Sequence, residues 1–309
     1  CLKHTKQNIQ LHTKKSIHFI VNPISGKGKN KLDFHTIASV LNREEFKIIV
    51  KTTKHANNAA SLTKASIEEG ANAIIACGGD GTINEVATLL VGTPVMLGII
   101  RLGSGNGLAS HLGISNSVKK ALETIKENYS IKIDVGTVNE HYFFSNMSLG
   151  IGARIINYYT GFKKRQIIAY FWAALKALLH KTTPQMIDLE FDGFKKTLDP
   201  SVLFVSNSNE MGYNISLTPK ASLQDGKLDV VFTEKLSFFD KLTFATQFIF
   251  DKNKRYSKAT YVLTNQIKVT HKKQEEFLTQ LDGESLIITS KTLTISIKPA
   301  ALNVLVPKI

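Results

Sequence analysis

The chain has 309 residues, 43% of them hydrophobic, so it can bury a sizeable core and has room for two domains. Its 39 basic and 25 acidic residues leave a net charge of +14, a surface that favours nucleotide phosphate, nucleic acid or anionic lipid without choosing among them. No run of about eighteen apolar residues exists to span a membrane, and two cysteines exclude a disulfide framework and suit a reducing compartment.

After a polar start over residues 1–15, an apolar run predicts a strand over 16–21, left through the turn Asn22-Pro23-Ile24-Ser25-Gly26. Leu32, Ile37, Val40 and Leu41 fall at helical spacing and predict a helix over 30–42. A strand over 46–50 and a helix over 57–69 follow. The next strand, 73–77, ends on Cys77, which reads as an inert core thiol; Cys1 stands where a Met would start, as in a truncated or processed chain. Gly78, Gly79 and Gly81 then crowd a turn around Asp80, and a helix is predicted over 82–91. A strand over 95–100 leads into the glycine-rich loop 101–107. Strands alternating with helices imply βαβ units and a parallel sheet, with these loops at the strand ends where open α/β sheets bind ligands.

From residue 131 the texture changes to strands over 131–135, 142–145, 186–191, 202–206, 228–232, 266–270, 277–281, 286–289 and 293–297. Helical patches over 162–181 and 237–249 interrupt them. The pattern predicts a mainly antiparallel, β-rich second domain, a sandwich or barrel. The expected division is 16–130 for the α/β domain and 131–300 for the β-rich one, with a last strand in 301–309 free to return to the first. The segment 161–181 carries Phe162, Tyr170, Phe171, Trp172 and Leu175 between basic ends and has two readings: an interfacial helix, or an amphipathic helix packed on the second sheet. The packed helix is the favoured one, with its basic ends toward a bilayer.

The glycine turn carries the chemistry. Without Cβ atoms its amides can approach a ligand closely, and a helix N-terminus favours phosphate. A carboxylate there, Asp80, makes sense beside a divalent cation or a donor group that needs orienting. The Walker pattern fails at Gly28-Lys29, which Asn30 follows, and the dinucleotide fingerprint fails at Leu108. Asp225-Gly226 and Asp282-Gly283 are, taken alone, ordinary turn signals. No histidine spacing suggests zinc, and no Ser-His-acid set is visible.

Six motifs then occur in order: Asn22-Pro23-x-Ser25-Gly26; Gly78-Gly79-Asp80-Gly81-Thr82-x-Asn84-Glu85-Val86; Leu102-Gly103-Ser104-Gly105-Asn106; Asp134-Val135-Gly136; Asp225-Gly226-Lys227-Leu228-Asp229; and Asp282-Gly283-Glu284. Together they resemble the diacylglycerol-kinase catalytic family in its bacterial soluble form, with sphingosine and ceramide kinases as relatives, over nearly the whole chain. The resemblance implies a nucleotide-binding α/β domain related to phosphofructokinase and NAD kinase, a β-rich acceptor domain, and ATP with Mg²⁺ between them. It implies ATP contacts at Asn22, Pro23, Ile24, Ser25, Gly26, Thr53, Gly78, Gly79, Asp80, Gly81, Thr82, Ile83, Asn84 and Ser104. Lys27 and Lys29 are candidate phosphate neutralisers. It further implies Asp282 as the base, with Glu284 and Asp80 beside it, and a structural Mg²⁺ held by the Asp225 carboxylate and the carbonyls of Ser222 and Lys227. Gly107 stands where bacterial members carry Asp, which is closer to the sphingosine-kinase form.

The implied activity is phosphorylation of the primary hydroxyl of diacylglycerol or a related lipid, with a sphingosine- or ceramide-type kinase as the alternative. NAD kinase shares the glycine loop, but the first and last motifs argue against it. A non-catalytic lipid sensor, or a basic nucleotide- or nucleic-acid-binding protein using 252–256 and 271–273, is the reading from another class. The expected partner is a lipid at the membrane surface, for a cytoplasmic, peripherally associated protein; no nucleic acid is expected, and a homodimer is left open.

Overall fold

The structure is a computed structural model that describes residues 14–26, 32–103, 105–162, 167–179, 185–210, 216–250 and 255–308. The first half runs β1 (Lys15–Val21), α1 (Phe34–Ala38), β2 (Phe46–Thr52), α2 (Asn58–Glu68), β3 (Ala73–Gly78), α3 (Asp80–Leu90), β4 (Met96–Arg101), α4 (Gly107–His111) and α5 (Val118–Glu127). Its strands pair in parallel in the order β2-β1-β3-β4. Every residue of β3 is buried, as expected of a strand covered on both faces, and separate apolar clusters fill the two sides of the sheet. Strand order reverses between β1 and β3, so the loops leaving those two strands flank the crevice of a topological switch point.

The second half continues β5 (Ser130–Val138), β6 (His141–Phe143), β7 (Asn146–Gly150), α6 (Ile151–Thr160), α7 (Ile167–Leu179), β8 (Ile187–Phe191), β9 (Phe194–Leu198), β10 (Val202–Ser206) and β11 (Leu228–Thr233). It ends with α8 (Phe238–Phe250), β12 (Ala259–Thr264), β13 (Gln266–His271), β14 (Glu276–Leu281), β15 (Glu284–Thr289) and β16 (Thr292–Leu305). Six strands form an antiparallel sheet in the order β12-β11-β10-β7-β14-β15. An apolar core including Phe143, Leu203, Val230, Ile267 and Ile295 joins it to the other sheet. The α/β domain and the antiparallel β-rich domain are therefore both present, as the sequence pattern predicts.

β16 does the joining. It pairs in parallel with β4 at Val304 and Leu97, and antiparallel with β5 and β13, so one sheet passes from the first domain into the second. A register shift between Lys298 and Leu302, with Ala300 at φ 49°, bends it at the crossing.

Several elements differ from the sequence reading. The helix expected over 30–42 is the short α1 among the described residues, and 27–31 lie outside them. Of the run 142–145 only Tyr142 and Phe143 lie in a strand, the end of β6, because Phe144 and Ser145 turn their amides to a side chain rather than to a neighbouring strand. α5 went unread although Ala121, Leu122 and Ile125 bury one face of it. α6, also unread, covers the second sheet against β7, β10, β14 and β15, and α7 packs on α6 instead of on the sheet.

Candidate active site

The cradle is built by backbone contact. Gly79 caps α3 in an extended conformation and offers no side chain to the first-turn amides, and Gly79–Thr82 line the cleft with the helix dipole behind them. A Cβ on Gly103 would stand 2.7 Å from Gly79 Cα, and one on Gly26, at φ 70°, would stand 2.3 Å from the Leu102 carbonyl oxygen. Three glycine loops thus approach more closely than any side chain allows. Asn22 ties two of them together: its amide donates to Thr82 Oγ1 at 3.1 Å and its Oδ1 accepts from the Ile24 amide within its own loop at 3.1 Å. Thr53 sits beside them, its amide bonded to Val21.

Asp80, the first residue of α3, accepts the Asn106 amide on Oδ2 at 3.0 Å. Burial holds its carboxyl above the ordinary range; the Asn106 amide and Arg101 oppose the rise, and Glu284 adds to it. Arg101 is itself anchored on the carbonyls of Ile114 and Gly105, each at 3.2 Å.

Asp282 sits at the β14–β15 turn with φ 47°, and its carboxylate is a hub. Oδ1 accepts the amides of Ser145 and Asn146 at 2.7 and 3.1 Å, and Oδ2 accepts the Phe144 amide and Asn84 Nδ2, both at 2.8 Å. The backbone at this turn is half-open, but the carboxylate itself is enclosed. Burial dominates its titration: against three backbone amides, and with Asp80 nearby, its pKa is pushed up to about 6. Glu284 reaches toward the first turn of α3, its Oε1 lying 3.8 Å from where a Gly81 Cβ would be.

One cleft of about 1550 Å³ connects these parts. Its polar end is lined by the Asn22–Gly26 loop, Thr53, the Gly79–Thr82 turn, Gly103 and Gly105; Asp282 and Glu284 stand midway. Its far end is apolar, with Ile151, Ile155, Leu178, Phe204, Leu217 and Phe244.

The other expected residues divide. Ile83 puts its side chain into the core and its amide donates to Gly79, and Glu85 accepts the Ala60 amide at the start of α2. Gly78 lies under Thr82, whose side chain a Cβ would meet at 2.6 Å, and Ser104 falls outside the described residues. Lys27 and Lys29 fall outside them as well. Ser222, Asp225 and Lys227 come together in the loop before β11, away from the cleft. There Asp225 Oδ1 accepts the Lys227 amide at 3.0 Å and Ser222 Oγ accepts the Gln224 amide at 3.2 Å. Among the described residues no three His, Cys, Asp or Glu side chains gather as metal ligands.

Sequence reasoning gave no role to Asp134. Buried on β5, it accepts the amides of Gly226 and Ala300, both at 2.7 Å, and so clamps that loop to the bend in β16. Asn207 bonds the carbonyls of Asp134 and Phe144, and Gln280 holds Asn146 and Gly283 around Asp282. The signal for all three was a polar residue within or beside an otherwise apolar strand.

Comparison with known proteins bears on this geometry. Residues 16–138 match the diacylglycerol kinase catalytic domain, and residues 145–306 match the YegS C-terminal NAD kinase beta sandwich-like domain. Proteins named diacylglycerol kinase from Staphylococcus aureus strains RF122 and MRSA252 are each 30% identical over 228 residues, covering 72% of this chain and 71% of theirs. A crystal structure of a diacylglycerol kinase from Bacillus anthracis has the same fold, with a TM-score of 0.70 at 19% identity over 95% of this chain and 97% of that one. A second solved chain from that organism superposes with a TM-score of 0.75 at 20% identity, with the same coverage of both chains.

Proposed function

The chain belongs to the diacylglycerol kinase family and is a lipid kinase, and from that premise we propose that it uses ATP and Mg²⁺ to phosphorylate the primary hydroxyl of diacylglycerol or a closely related lipid. One observation carries the reading: a single cleft runs from a glycine-lined cradle to an apolar chamber, with carboxylates between the two. A nucleotide triphosphate suits the first end and acyl chains suit the second.

Phosphoryl transfer asks the protein mainly for position and charge. The amides of Gly79–Thr82 and the Thr82 hydroxyl would hold phosphate oxygens, and Asn22 fixes that hydroxyl. Asp80 and Glu284 offer two carboxylates at the cradle, a donor set that suits Mg²⁺ completed by phosphate oxygens and water. Mg²⁺, when bound, neutralises charge on the group being transferred. Asp282 is the base: its four N–H partners hold both oxygens in place, and a pKa of about 6 lets it take the acceptor's proton near neutral pH.

Gly107 supports the sphingoid alternative in one respect. It is buried and lines the cleft, so an Asp in its place would add a carboxylate to the site. Labelled γ-phosphate transfer from ATP to a panel of diacylglycerol, sphingoid bases, ceramide and NAD decides among these. Labelled diacylglycerol is the expected product; label only in NAD, or in no lipid, would sink the proposal.

A further inference from the structure

α7 is arranged inside out. Its small residues Ala169, Ala173 and Ala177, one turn apart, are 8%, 0% and 2% exposed and let the helix lie against α6. Its bulky residues turn away from the protein: Ile168, Phe171, Trp172 and Leu179 are 64%, 64%, 55% and 61% exposed. The adjacent α8 does the same with Phe238, Phe239 and Leu242, at 47%, 77% and 45%. A helix that serves only the fold buries its bulk and shows polar residues to water.

The same two helices wall the apolar end of the cleft, through Ala174 and Leu178 on one and Phe244 and Ala245 on the other. Lys241 of α8 also lines that end. It shares its surroundings with Arg154, Lys235 and the acidic Asp199. Asp199 pairs with Lys235 at 3.6 Å, and among the described residues the buried Nε of Arg154 has no hydrogen-bond partner. Cations are in excess at the edge of an apolar face.

We propose that the exposed face of α7 and α8 is a docking surface for an anionic lipid bilayer, with Arg154, Lys235 and Lys241 meeting the headgroups, so that a lipid acceptor passes from bilayer to cleft without crossing water. Delivery of the acceptor rests on the lipid-kinase reading; docking does not. Bulky aromatic and aliphatic side chains rimmed by cations match an interfacial element on an anionic leaflet. A second copy of the chain fits worse, because a face-to-face pair would set the three cations against themselves on top of a net charge of +14 per chain.

Trp172 is the only tryptophan, so its fluorescence reports on this face alone. The purified full chain is titrated with phosphatidylcholine vesicles, with and without phosphatidylglycerol, some carrying brominated acyl chains. Anionic vesicles are expected to shift Trp172 emission to the blue, brominated chains to quench it, and salt to weaken both effects. Phe171→Ser with Phe239→Ser should lower partition by about tenfold or more, and Lys235→Gln should weaken it only on anionic vesicles. Emission that ignores vesicles, or that shifts blue with protein concentration alone as the mass doubles, overturns the proposal. Turnover on a short-chain, monomerically soluble acceptor should be equal in the native protein and the double Phe variant. If neither protein turns it over, the kinase reading fails while the fluorescence still decides docking.

Discussion

Asp282→Asn separates two effects that meet in one carboxylate. Four N–H donors favour its ionised form, yet burial and Asp80 outweigh them and raise its pKa from 3.8 to about 6. An acid that holds its proton more tightly folded than unfolded contributes its full stability below the lower value. That stability is lost as pH rises through the upper one, here between 3.8 and about 6. At 1.36 kcal/mol per pH unit, the loss is at most about 3 kcal/mol. Asparagine has nearly the same shape and does not titrate. Its Nδ2 cannot accept the two N–H groups it would face, a cost that does not change with pH, so the stability of the variant relative to the native protein should rise by up to about 3 kcal/mol from pH 4 to pH 8. Its kcat should fall by at least about 100-fold with little change in the KM for ATP, because no group is left to take the acceptor's proton. Urea unfolding at both pH values, together with steady-state phosphoryl transfer, measures both quantities. A variant that is less stable by the same margin at both pH values would mean that the hydrogen bonds dominate and Asp282 is a structural clasp. An unchanged kcat would remove it as the base.

Asp80→Asn should abolish phosphoryl transfer while unfolding at an unchanged or higher temperature at pH 8, since burial already disfavours its charge; retained turnover would take Asp80 out of the chemistry. Gly103→Ala drives a methyl to 2.7 Å from Gly79 Cα, so calorimetry should register lost nucleotide binding and unfolding a cost of roughly 1–3 kcal/mol; intact binding would show that the loops need not touch. Asp134→Ala strips the acceptor from two amides, and a loss of roughly 2–6 kcal/mol in urea unfolding is expected, with a loss below 1 kcal/mol counting against the clamp. Gly107→Asp should change the ratio of kcat/KM between diacylglycerol and sphingoid acceptors, and an unaltered ratio would make that position irrelevant to specificity.

The strand–turn–helix over 73–90 and the alternation that makes the first sheet parallel were legible because both are local: an apolar run, glycines at a turn, a helical period. The glycine turn around Asp80 could be named for the same reason, and the resemblance supplied the other motif residues of the cradle. The resemblance implied what Asp282 does, but how it is held was not legible. Asp-Gly between two strands signals a hairpin whatever surrounds it, whereas the amides that fill its carboxylate come from residues 136 to 138 positions away and Asn84 lies 198 away. The role of Asp134 was hidden likewise, because its partners at Gly226 and Ala300 arrive through separate strands. Helix α7 is the clearest case. Periodicity shows that it is apolar on a broad arc, but only tertiary contacts decide which part of that arc is covered. The alanine stripe Ala169, Ala173 and Ala177 is the part that is covered where α7 packs on α6, and so the rings of Phe171 and Trp172 are left facing water.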